Sequence, residues 1–101
     1  MIKVSKKENI IEITGHSNYD IVGKDIVCSA VSSIVTTTIN GIISIDEKAI
    51  SYSYKNDKMI ITNVKKDEIT NKLLNNMIDL LISLLVISSF FKLIIIILSF
   101  L

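Results

Sequence analysis

Twice along this chain the spacing of apolar residues switches from every second position to every third or fourth. Each switch follows a pair of short alternating runs. In the first pair Ile2 and Val4 alternate with Lys3 and Ser5, and Ile11 and Ile13 with Glu12 and Thr14, around a polar turn at residues 7–9. Gly15 ends the second run, and a polar connection from Ser17 to Lys24 follows. From Asp25 the stripe becomes Val27, Val31, Ile34, Val35, Thr38 and Ile42, one face of a helix reaching about Ile45. Asp25 has the chemistry of an N-cap, its carboxylate accepting from a first-turn amide. The β-branched content of this helix lowers its intrinsic propensity, so packing has to hold it.

The second cycle repeats the first. Ile50, Tyr52 and Tyr54 alternate along a strand, residues 55–57 turn, and residues 59–62 return. Asp67 and Glu68 then suit a helix N-terminus, and Ile69, Leu73, Met77, Leu81 and Leu84 continue an apolar stripe. This order predicts an α+β fold, a two-layer sandwich with two helices on one face of a mainly antiparallel sheet.

A length of 101 residues suits a single domain, 1–101, with one two-layer core. The net charge is +1, and every basic residue is lysine. The basic pairs Lys6-Lys7 and Lys65-Lys66 fall at turns, so no direct nucleic-acid contact is expected. One cysteine excludes an internal disulfide, and neither Cys-x-x-Cys nor His-x-x-x-His spacing occurs. A single histidine cannot serve a metal cluster, and no glycine-rich phosphate loop is present, so neither metal nor cofactor is expected. The lone thiol and the polar breaks in MIKVSKKENI predict a cytoplasmic protein.

The chemistry gathers in one stretch. HSNYDIVGKDIVCSAVSS, residues 16–33, contains the one histidine and the one cysteine. In the expected fold His16 lies just past a strand and Cys28 in the first turn of a helix, where unpaired amides and the positive dipole end stabilise a thiolate. Those amides also suit an oxyanion, and a nearby imidazole can take the thiol proton and return it to a leaving amine. A small buried cysteine and a surface histidine fit the same residues. Spacing alone leaves both readings open.

Gly15-His16-Ser17, followed by Gly23-Lys24-Asp25-Ile26-Val27-Cys28-Ser29-Ala30-Val31-Ser32, resembles the signature of the bacterial ribosomal-processing cysteine protease family, Prp. That signature has Gly-His-Ala, a loop of similar length, then Gly-x-Asp-Ile-Val-Cys and small residues. Ser17 and Ser29 depart from its usual alanines but remain small. The resemblance implies a Cys–His dyad endopeptidase with Cys28 as nucleophile and His16 as general base and acid. It implies as substrate the N-terminal extension of a large-subunit ribosomal protein precursor, and as assembly a homodimer. Asp25 is expected either to orient the histidine or to cap the helix. Residues Ser17 to Gly23 are expected to form a loop over bound peptide, with Asn18 and Tyr19 lining the groove.

The last stretch, LLISLLVISSFFKLIIIILSFL from Leu80, is unusually apolar, with Lys92 its one charge. The family pattern predicts that the helix ends near Ser88-Ser89 and that residues 90–98 form a fifth strand, giving the order ββαββαβ. Hydropathy alone allows a C-terminal membrane anchor, because about 20 apolar residues span a bilayer. Three functions follow: the endopeptidase, a non-catalytic ribosome-assembly module of the same fold, or a small membrane-anchored protein.

Overall fold

Two tight hairpins set the frame. The computed structural model describes residues 2–15 and 24–101, leaving aside the side chains of residues 24–26, 91 and 92. Strand β1 (Lys3–Lys7) returns as β2 (Ile10–Thr14), with Glu8 at φ 56 in the turn. Strand β3 (Ile50–Lys55) returns as β4 (Lys58–Asn63) through Asn56 and Asp57, at φ 54 and 60. Asn and Asp tolerate this left-handed conformation better than most side chains do. β2 and β4 pair antiparallel, giving the sheet order β1-β2-β4-β3.

Register decides which face is apolar. Ile11 lies opposite Ile61, and Ile13 opposite Met59, so these four share one face. Glu12 lies on the other face, where it pairs with Lys58 at 2.7 Å. Helices α1 (Lys24–Ile45) and α2 (Glu68–Ser99) cover the apolar face. α1 follows β2 from the Thr14–Lys58 edge of the sheet, and α2 follows β4 from the opposite edge, where Asn63 bonds Asn9. The helices are therefore antiparallel. Between sheet and helices lie Val31, Val35, Ile39 and Ile42 of α1, Leu74, Met77 and Leu81 of α2, and Ile11, Ile13 and Ile61 of the sheet.

The α+β sandwich expected from the alternating periods is present, with both helices on one face. The difference lies at the C-terminus. The sheet has four strands, and residues 90–98, expected as a fifth, continue α2 to Ser99. The physical reason is the lack of a breaker: the chain has no proline, and its last glycine is Gly41. Once nucleated at Asp67, whose carboxylate accepts from the Thr70 amide at 3.0 Å, the helix propagates cooperatively. Ser88-Ser89 does not turn the chain; the Ser89 hydroxyl donates to the Leu85 carbonyl at 3.0 Å instead.

Asn63 clasps the end of β4 to α2. Buried to 4 % exposure, it donates from Nδ2 to Asn71 Oδ1 at 2.7 Å and accepts at Oδ1 from the Lys66 amide at 2.8 Å. That second bond fixes the turn in which Lys66 takes φ 58. Replacing Asn63 by Ala is expected to cost about 1–3 kcal/mol, because two polar partners lose their bonds at once. Urea denaturation of the two proteins checks this.

Beside that turn Lys65 reaches Asp46 at 2.9 Å and Asp67 at 3.6 Å, tying the α1–β3 connection to the start of α2. The hydrogen bond from Lys65, then that from the Lys48 amide, holds Asp46 below the ordinary carboxylate range. The Thr70 hydroxyl and then its amide do the same for Asp67. Asp46 in turn raises Lys65. A lowered acid contributes stability above its unfolded value and loses it as pH falls through the folded one. A raised lysine contributes below its unfolded value and loses it as pH rises through the folded one. Lys65→Met is therefore expected to lower the thermal midpoint at neutral pH. The gap from the parent should close below the carboxylate range and again above the lysine range, as melting curves across pH would show.

Candidate active site

The edge of the sheet from which α1 departs carries the residues of interest. β2 ends at Thr14, and Gly15 follows with φ 79, a left-handed conformation open to glycine at little cost. α1 begins at Lys24. Residues 16–23 connect these two points; His16, Ser17, Asn18, Tyr19 and Gly23 lie outside the described residues.

Cys28 is the fifth residue of α1 and partly buried. Its position follows from the stripe that docks the helix. Val27, Val31 and Val35 recur at four-residue intervals towards the core, and Cys28 stands one position to the side. The helix already includes Lys24, two residues ahead of the start that a cap at Asp25 implies, so Asp25 lies inside the first turn instead of flanking it. An acidic residue is at home there because of the helix dipole. Cys28 stands four residues after Lys24, just past the first turn of the helix as described. Cys28 thus lies about one turn from the described start of the helix.

Ser32, four residues past Cys28 and hence on the same helix face, lines a shallow depression with Ile13, Val31, Val35, Thr36 and Met59. It lies between α1 and the ends of β2 and β4, at the edge that carries Gly15. Sequence reasoning missed it. The four-residue step from Cys28 to Ser32 was the available signal, but the contribution of Met59 depends on the β2–β4 register. Among the described residues no three His, Cys, Asp or Glu side chains converge as metal ligands do.

A four-stranded antiparallel sheet under two helices, with a partly buried cysteine near the start of the first helix, defines a two-layer α+β domain. The chain belongs to the cysteine protease Prp family, whose description matches residues 1–89. The crystal structure of an essential ribosomal processing protease Prp from S. aureus, in complex with a substrate peptide, is similar in fold. The likeness covers 82 % of this chain and 85 % of that one, at 18 % identity and a TM-score of 0.68. SMU.848 from Streptococcus mutans is similar over 80 % of this chain and 76 % of its own, at 22 % identity and a TM-score of 0.68. Comparison with curated proteins gave no match.

Gly15 offers a direct test of how the edge is built. A Cβ at φ 79 brings a penalty of about 1–2 kcal/mol, so Gly15→Ala should lower stability by that amount. Gly15→Asn should lower it less, because asparagine visits this conformation more readily. Chemical denaturation of both variants measures the difference.

Proposed function

We propose that this chain is a cytoplasmic cysteine endopeptidase that removes the N-terminal extension of a large-subunit ribosomal protein precursor. Family membership over residues 1–89 carries the reading. Two further observations support it: Cys28 stands near the N-terminal end of α1, and the similar S. aureus protease was crystallised with a substrate peptide.

In this mechanism His16 takes the proton of Cys28, and the sulfur attacks the scissile carbonyl carbon, forming a C–S bond and an oxyanion. Amides at the start of α1 stabilise that oxyanion. His16 then protonates the leaving amine as the C–N bond breaks, leaving a thioester on Cys28. Water, deprotonated by His16, attacks the thioester; the C–S bond breaks and the proton returns to the thiolate. Residues Ser17 to Gly23, with Asn18 and Tyr19, close over the peptide, and the protein works as a homodimer. Asp25 acts from the first turn of α1, either on the helix end or on the imidazolium. Asp25→Asn removes the charge in both roles, and the readouts separate them: a role at the helix end lowers stability, whereas a role on the imidazolium lowers turnover.

The test is cleavage of a synthetic peptide spanning the extension junction of the host's own ribosomal protein, followed by mass spectrometry. One cut at the junction is expected, falling by about 10³-fold or more in Cys28→Ala and in His16→Ala. Cleavage that survives Cys28→Ala overturns the nucleophile. Peptide binding by a folded protein with no cut, unchanged by either substitution, points to a non-catalytic ribosome-assembly module.

A further inference from the structure

α2 is far longer than the domain it covers. Its 32 residues run about 48 Å, whereas strands of five or six residues span about 17–20 Å. The first half packs on α1 and the sheet through Leu74, Met77 and Leu81. The second half overruns them and accounts for the molecule's 53 Å long axis. The family match stops at residue 89, close to where the overrun begins.

The overrun is apolar on every side. Val86, Ile87, Ile95 and Ile96 are 52–64 % exposed, and at 3.6 residues per turn they point in four directions about a quarter-turn apart. A second copy of the helix would cover one stripe and leave the others in water. Only a surrounding apolar solvent covers all four. The helix also satisfies its backbone polar groups from within, the second demand of such a solvent, and two of its serines do the same. The hydroxyl of Ser89 donates to the Leu85 carbonyl at 3.0 Å, and that of Ser99 to the Ile96 carbonyl at 2.6 Å. From Leu85, past the last side chain packed on the core, to Leu101 the helix and its cap extend about 26 Å, close to a hydrocarbon core of about 30 Å. Lys92 is the one charge in this length, and the surrounding leucines and isoleucines offset a single lysine. α1 is also long and apolar enough to cross a membrane, but its stripe is spent inside the core.

We propose that the distal half of α2 inserts into a lipid bilayer and tethers the domain to it. The overrun leaves the domain at the edge where β2 ends and α1 begins, so insertion turns that edge, with Gly15 and Cys28, towards the membrane. The proposal does not depend on peptide cleavage.

Flotation of the full chain with phosphatidylcholine vesicles tests it. The protein is expected to float with the vesicles and to stay with them through alkaline carbonate. The double variant Ile87→Lys, Ile95→Lys, with its helicity checked by circular dichroism, should partition at least about tenfold less. The chain has no tryptophan, so Leu93→Trp provides a single reporter, expected to be quenched by lipids brominated along their tails. A parent protein that remains unbound, whether as a monomer or as a discrete dimer through α2, overturns the proposal, as does an unquenched Leu93→Trp.

Discussion

Everything in this fold depends on one apolar layer, because a four-stranded sheet with a single apolar face has to be covered. Ile11 and Ile13 on β2 and Ile61 on β4 are at most 2 % exposed, covered by residues of α1 and α2. Burying each such side chain contributes about 1.5–3 kcal/mol, and that gain is realised only when both helices lie across the strands. The dependence is mutual. α1 is rich in β-branched residues and would be marginal alone, so the sheet stabilises the helix as much as the helix shields the sheet.

That mutual burial also positions the chemistry. The stripe Val31, Val35, Ile39 and Ile42 fixes the rotation of α1 about its axis, and with it the side on which Cys28 stands. The antiparallel pairing of β2 with β4 brings Met59 beside Ile13, forming the wall of the depression that Ser32 lines. Site and core are thus two sides of one helix. At the opposite edge the Asn63 clasp and the Lys65 bridges fasten the connections, leaving the edge of Gly15 and Cys28 unencumbered by them.

Much of this was legible in the sequence because period is a local property. Alternation at Ile11–Ile13 and Ile50–Tyr54, and the stripes through Val31 and Met77, placed the hairpins and both helices close to where they lie. Gly15 was legible too, as a strand end whose φ 79 only glycine adopts freely. Strand order was not, because nothing local says that β2 pairs with β4. The start of α1 was misjudged by two residues. A carboxylate suits both an N-cap and a first turn, so Asp25 alone could not separate them.

Residues 90–98 show where period fails altogether. A run of nearly uniform Leu, Ile and Phe has no alternation to mark a strand and no polar face to mark a helix, so each template fits. What decides between them is the boundary, and here the chain supplies none. A strand needs the helix before it to stop, yet between Asp67 and Ser99 there is neither glycine nor proline, and Ser89 binds its hydroxyl back into the helix. A fifth strand would also have to pair with β1 or β3, the edges of the sheet, at the entropic cost of reversing the chain. Continuing α2 satisfies every backbone amide locally, one residue at a time. The consequence is that side chains a strand could have buried against the domain instead stand around an exposed helix, and only their surroundings can cover them.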